Sequence, residues 1–338
     1  MSKICTIAVD AMGGDHAPGS IVKGVKLGVA GSNCKFKVIL VGNREKILEV
    51  DPEISDMNEI SIVHASEIIE MCDSPVDAIK VKKDSSMTVT AGLLKNSKAD
   101  AVFSAGNTGA FMAASLFAAG KVEGVVRPTI GFFYPSLNGS SFLLDAGANT
   151  DCKPHHLFQF GLMGSTFVKY FQKIDKPKVA ILSIGEESSK GNSATIEAYK
   201  LFENSSLNFI GNIEGRDLFT DKADVVVCDG FIGNIILKLI ETYGTTLETM
   251  IKGKMDNNPL YNLGWSLLKK PVSKVMEGFD YENYGGVPLL GLNGVSLIGH
   301  GHSSPNAVKT ALYAAAKIYE QDIQGHIQKE IALYKENS

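Results

Sequence analysis

A unit of strand, glycine-containing turn and helix recurs along this 338-residue chain, and few folds accommodate it. Apolar, β-branched runs at Lys3–Asp10, Asp100–Ser104, Ser141–Asp145, Val179–Ile184, Val225–Cys228 and Val295–Ile298 each end in a turn of Gly, Asn, Asp and Ser. Phe36–Gly42 and Ile60–His64 read as further strands, with Asn208–Gly211 a short one. Helical patterns lie between them: Pro18 to about Ala30, Ser74–Lys95, His155–Phe171, Ser193–Phe202 and Asn306 to about Tyr334. Such alternation predicts a largely parallel sheet covered on both faces, with the turns gathered along one edge where ligands bind. Ile130–Tyr134 and Ser141–Asp145, joined through Pro135–Ser140, predict an antiparallel hairpin and so a mixed sheet. There is no fixed-period repeat, low-complexity segment or linker, which predicts one domain over 1–338.

From Ile232 the pattern changes. Ile232, Ile235, Ile236, Leu239, Ile240, Tyr243, Leu247, Met250 and Ile251 recur at mostly three- and four-residue steps, a long amphipathic helix. Asp256-Asn257-Asn258-Pro259 stops it, and Leu260, Leu263, Leu267, Leu268, Val272, Val275, Met276 and Phe279 mark a second helix with Pro271 as a kink. Together they predict a protruding helical hairpin over about 231–280. Near its turn stand Leu263, Trp265 (the only Trp) and Leu267, with Lys269 and Lys270. That mixture suits an anionic membrane surface or an acidic protein, and equally a dimer-packing pair of helices with solvated lysines.

Several function classes are excluded or disfavoured. A net charge of -4 provides no basic field for nucleic acid. Five scattered cysteines without a C-x-x-C pair fit reduced thiols, and the N-terminal stretch has no charged and apolar regions of a signal peptide, so a cytosolic protein is expected. Lys190 is not in a Walker A loop, and no G-x-G-x-x-G fingerprint occurs. His300, His302 and the His155-His156 pair lack any H-E-x-x-H or Cys/His cluster, which predicts no metal site. No G-x-S-x-G elbow supports a serine hydrolase.

What remains is a small anion. In Val179–Asn192 an apolar strand breaks at Gly185 into a polar loop with one lysine, Lys190, before a helix. Free backbone N–H groups at a helix start suit phosphate. An ordinary strand-to-helix turn with a solvated lysine fits the same residues.

Ala8-Val9-Asp10-Ala11-Met12-Gly13-Gly14-Asp15-His16-Ala17-Pro18 resembles the opening motif of the bacterial phosphate acyltransferases of phospholipid synthesis. Ser104–Ala110, Asp145–Asn149, Gly185-Glu186-Glu187 with Lys190-Gly191-Asn192, Asp229-Gly230-Phe231 with Gly233-Asn234, and Tyr284-Gly285-Gly286 resemble that family too, in order. Ser188-Ser189 have no match in its pattern. The resemblance implies a three-layer α/β/α sandwich of the isopropylmalate-dehydrogenase-like kind and a homodimer. It implies acyl transfer from acyl carrier protein to inorganic phosphate, without metal or other cofactor. The acyl phosphate then feeds a membrane glycerol-3-phosphate acyltransferase, so a cytoplasmic enzyme peripherally associated with the membrane is expected. A coenzyme A-dependent phosphate acetyl- or butyryltransferase and a non-catalytic carrier-protein or lipid adaptor are the alternatives.

Phosphate is then itself the nucleophile, and the site must hold a dianion and stabilise an oxyanion. Lys190 is expected to supply positive charge and Asn234 an amide hydrogen bond, although an Asn at a helix start also serves as a cap. Asn107, Thr108, Asn149 and Asn192 are candidates for positioning phosphate. Asp10, Asp15 and His16 suit either substrate binding or local turn bonding.

Overall fold

The computed structural model describes residues 4–31, 36–254, 259–279 and 284–336. Lys3, Cys34 and the Asp256-Asn257-Asn258 stop lie outside them. The first part of the chain runs β1 (Cys5–Asp10), α1 (Gly19–Val29), β2 (Phe36–Gly42), α2 (Arg44–Val50), β3 (Ile60–His64), α3 (Pro75–Val81), α4 (Ser86–Lys95), β4 (Ala101–Ser104) and α5 (Thr108–Ala119). A hairpin of β5 (Thr129–Ser136) and β6 (Gly139–Leu144) leads to α6 (Pro154–Phe171), β7 (Val179–Leu182), α7 (Ser193–Glu203), β8 (Phe209–Ile213) and β9 (Val225–Val227). Then come α8 (Gly230–Lys254), α9 (Pro259–Glu277), β10 (Val287–Leu290), β11 (Val295–Ile298), α10 (Pro305–Glu320) and α11 (Ile323–Glu336).

The eleven strands among the described residues join one sheet, in the order β3-β2-β1-β4-β11-β10-β5-β6-β9-β7-β8. Side chains alternate across it with the period of two that strands impose. Ile7 and Val9, Phe142 and Leu144, Val179 and Ile181, Val225 and Val227 enter a core beneath α1, α6, α7, α10 and α11. Their neighbours Ala8, Leu143, Ala180 and Val226 enter a second core beneath α3, α4, α5 and α8. Three layers follow, because a strand buried on both faces must be apolar at successive positions.

The sheet is mixed and mostly parallel with an antiparallel β5–β6 hairpin, as expected, but its turns do not gather along one edge. β1, β2, β3, β4 and β11 are mutually parallel; β10 is antiparallel to β11, β5 to β10, and β6 to β5. β9, β7 and β8 then run parallel to β6. The two halves of the sheet therefore point in opposite directions, and the glycine-rich turns divide between opposite edges. Pairing across β10 decides this, and its four residues, interrupted by Pro288 and flanked by glycines, give no strand-length pattern.

The expected helix Ser74–Lys95 is broken between Val81 and Ser86, where Ser85 Oγ accepts from Thr88 N–H and caps α4. The closing helix is likewise two helices, divided at Asp322, whose φ of 46° lies in the left-handed region. α8 and α9 occupy the segment expected as a hairpin, with the connection at 255–258 outside the described residues. Tyr243 of α8 meets Phe279, just past α9, at 5.7 Å between ring centroids. Pro271 lies inside α9. No helix among the described residues is long and apolar enough to cross a membrane.

Candidate active site

A cavity of about 550 Å³ lies over the short central strands. β10 spans only ~13 Å at about 3.3 Å per residue, so turns from opposite edges approach one another across it. Asp15, Thr108, His300 and His302 come from the first half's edge, and Gly147 and Asn234 from the second's. Ile130, Phe132, Phe133, Leu237, Val287 and Ile298 form an apolar wall against this polar group. Tyr284 stacks on Phe133 at 6.0 Å, and its hydroxyl donates to Gly278 O at 3.1 Å.

Buried carboxylates hold the turns. Asp10, 1% exposed, accepts from Met12 N–H at 3.1 Å and Ser104 Oγ at 2.7 Å. Asp145, fully buried, accepts from the N–H of Ile130 and Ala148, each at 3.1 Å, and from Asn149 Nδ2 at 2.7 Å. Burial pushes both carboxyls above the usual carboxylate range, and these hydrogen bonds work against it.

α8 is seated on the Asp145 turn. Gly230 N–H donates to Asn149 O at 2.8 Å, and a Cβ at Gly233 would overlap Asp145 O, so only glycine permits this approach. Asp229 Oδ1 accepts from Ile232 N–H at 2.9 Å, so Asp229 does the capping that Asn could have done. Asn234 therefore stands one turn into the helix, exposed beside Gly147, and its amide has no hydrogen-bond partner among the described residues. Lys238 and Glu241, paired at 2.7 Å, follow it on the same face and line the same cavity. They were hidden in the sequence by the apolar stripe of the helix, although polar residues at 234, 238 and 241 carry the 4- and 3-step spacing of one face.

The remaining candidates are dispersed. Asn107 caps α5 through Ala110 N–H at 3.0 Å, and its amide donates to the carbonyls of Glu70, Met71 and Asp73. Asn149 donates to Pro128 O and Asp145. Both are committed to the scaffold, whereas Thr108, first residue of α5, is exposed to the cavity. Asn192 caps α7 through Thr195 N–H at 2.9 Å. Lys190 is exposed on the same loop, without an ion-pair partner among the described residues. Gly191 and Asn192 line a second cavity of about 660 Å³ on the other side of α8, with Ile184, Ile232, Ile236 and Leu239. Lys190 thus belongs to a neighbouring loop and not to the wall around Asn234.

Asp15 lines the first cavity, and His16 touches it through His302. His302 Nδ1 lies 2.8 Å from Asp15 Oδ2, and the His16 and His302 rings meet edge to face at 5.9 Å. His300 Nε2 stands 3.9 Å from Glu241 Oε2, and burial holds its imidazole below the ordinary range. No group of three or more His, Cys, Asp or Glu able to hold a metal occurs among the described residues. Cys5, Cys152 and Cys228 are buried and Cys72 is exposed; burial raises the Cys152 thiol to about 12, which suits an inert packing residue.

Solved structures share the fold. A phosphotransacetylase from Streptococcus pyogenes superposes with a TM-score of 0.63 at 17% identity, covering 94% of this chain and 95% of that one. A branched-chain phosphotransacylase from Enterococcus faecalis gives 0.60 at 13% identity over 93% and 99% of the two chains. 4-Hydroxythreonine-4-phosphate dehydrogenase from Klebsiella pneumoniae gives 0.52 at 12% over 95% and 99%, extending the likeness to dehydrogenases. Closer in sequence are proteins named phosphate acyltransferase. That of Thermoanaerobacterium thermosaccharolyticum is 44% identical over 97% of both chains. That of Heliobacterium modesticaldum is 46% identical over 96% of this chain and 97% of its own. A family model described as "Fatty acid synthesis protein" matches residues 5–325, and the chain belongs to that family.

Proposed function

We propose that this protein transfers a fatty acyl group from acyl carrier protein to inorganic phosphate, forming acyl phosphate for phospholipid synthesis. It is an acyltransferase. The observation that supports this reading most directly is the first cavity, where a polar group of Asn234, Thr108 and histidines adjoins an apolar wall of the kind an acyl chain packs against. Proteins of 44–46% identity named phosphate acyltransferase support the same reaction.

Phosphate attacks the thioester carbonyl, so the protein need not supply a nucleophile. Asn234, its amide uncommitted, donates to phosphate or to the oxyanion that forms on attack. Thr108 and the N-terminus of α5 add donors toward the anion. Lys190, on the loop on the far side of α8, adds positive charge that draws phosphate toward the site at longer range.

Acyl phosphate formation is measured with long-chain acyl carrier protein and, separately, acetyl-coenzyme A, each with phosphate. Activity with the carrier protein, a loss of ~10²-fold or more in Asn234→Ala and a smaller loss in Lys190→Ala are expected. Near-normal rates in folded variants would remove these residues from the mechanism, and preference for acetyl-coenzyme A would replace the donor.

The enzyme works as a homodimer beside the membrane, handing its product to a glycerol-3-phosphate acyltransferase there. Leu263 and Leu267 of α9 are 60% and 74% exposed, with Lys269 and Lys270 exposed beside them and Trp265 half-buried, a composition suited to an anionic lipid surface or an acidic carrier. Liposome flotation should weaken when Leu263, Trp265 and Leu267 are made polar; unchanged flotation counts against the membrane contact.

A further inference from the structure

Acyl transfer to phosphate leaves a proton to be moved, and the residues assigned above do not move it. At neutral pH the attacking hydrogenphosphate carries a proton that acyl phosphate does not retain and the departing thiolate needs. A proton carrier between them must reach the reacting atoms and change charge near neutrality, which is the property of imidazole.

The cavity contains a paired imidazole. His302 Nδ1 is 2.8 Å from Asp15 Oδ2, a carboxylate–imidazole pair that puts the hydrogen on Nδ1 and leaves Nε2 as the base. The pair is braced by the main chain, since Asp15 N–H donates to Gly301 O at 2.7 Å. The His302 side chain is 68% exposed and lines the cavity together with Thr108 and Asn234. His300 is engaged differently: its Nδ1 accepts from His302 N–H at 3.2 Å, and its Nε2 faces Glu241. His300 thus supports the turn that carries His302.

Building on the acyl-transfer reading, we propose that His302 is the proton-transferring catalytic residue of this site and that Asp15 is its positioning residue. A phosphate oxygen forms the new C–O bond to the thioester carbonyl carbon. The C–S bond breaks with its electron pair going to sulfur. His302 Nε2 accepts the proton of the hydrogenphosphate and returns it to sulfur, so thioester and HPO4²⁻ give acyl phosphate dianion and free thiol. The charged and titratable groups around His302 are Asp15 and His16 from the β1–α1 loop, His300 from the end of β11, and Lys238 and Glu241 from α8.

The test uses the full-length chain with acyl carrier protein and phosphate, and variants His302→Ala, His302→Gln and Asp15→Asn checked for folding by circular dichroism. For His302→Ala, kcat should fall by ~10²-fold or more while the KM for phosphate stays nearly constant. Added imidazole should restore part of that loss, in proportion to its free base. Asp15→Asn should lower kcat without imidazole rescue, because the misdirected ring still fills the position. A His302→Ala enzyme of wild-type kcat, or one whose loss lies in the KM for phosphate and resists imidazole, overturns the assignment while leaving acyl transfer intact. A wild-type chain that forms no acyl phosphate overturns the acyl-transfer reading and this inference with it.

Discussion

Asp10 in one half of the sheet and Asp145 in the other do the same local work under different loads. Each is buried at the end of a strand, and each accepts the N–H of the residue two positions on, Met12 or Gly147. Each is then tied to something farther away. Asp10 reaches Ser104, at the end of the adjacent parallel strand, and the packing is tight enough that a Cβ at Gly13 would stand 2.6 Å from its carboxylate. Asp145 reaches Asn149, whose carbonyl accepts from Gly230 at the head of α8. One carboxylate joins two turns of the scaffold; the other fixes the helix that bears Asn234, Lys238 and Glu241. A buried acid surrounded by N–H donors is therefore a general means of ending a strand, and what it contributes to function depends on what is attached next.

The largest expected effect comes from α8's seat. Gly233→Ala pushes the helix off the Asp145 carbonyl. It should lower acyl phosphate formation by ~10²-fold, as a displacement near 1 Å can, and cost about 1–3 kcal/mol of stability from overpacking. Wild-type turnover in Gly233→Ala would mean that α8's position does not govern the chemistry.

Of the two acids, Asp145→Asn should lower both stability and turnover, whereas Asp10→Asn should lose stability, by about 1–3 kcal/mol, with a smaller change in kcat. Chemical denaturation and steady-state rates on the same samples distinguish them. Equal losses of kcat would mean that the two carboxylates serve the site alike.

The smallest effect concerns acid sensitivity. His156, 4% exposed at the start of α6, accepts Lys153 N–H on Nδ1 at 3.1 Å, and burial holds its imidazole down to about 4. Between pH 6.5 and 4 the unfolded chain binds a proton there that the folded chain does not. Its stabilisation is thus complete above 6.5 and declines as pH falls through that window. α1, the corresponding helix of the first half, has no side-chain cap to titrate. Melting temperature against pH should be flatter for His156→Gln than for wild type. Asp10 and Asp145, raised by burial, act in the opposite sense, and comparison within the pair cancels them. Parallel curves would place the acid sensitivity elsewhere.

Local chemistry was legible in the sequence because it is encoded by neighbours. The β-branched runs predicted nearly all the strands, since apolar residues at consecutive positions are required when both faces are covered. The glycine- and asparagine-rich turns were visible, as was the amphipathic period of α8. Asn107 and Asn192 even sit where capping preference puts such residues.

Tertiary structure decided how those pieces are assembled. Whether the turns share an edge depends on the direction in which β10 and β5 pair, a contact between residues about 160 apart in the chain (Leu289 with Ile130) that no local pattern encodes. That choice brought Asp15 and His302 of the first half into one cavity with Asn234 of the second, whereas Asp15 meets His302 because β11 pairs parallel with β4, and the other face of α8 keeps Lys190's loop apart. Sequence determines which groups each turn presents, through backbone preference and side-chain chemistry. Only the assembled sheet, by bringing opposite edges within reach across one very short strand, determines which of those groups meet.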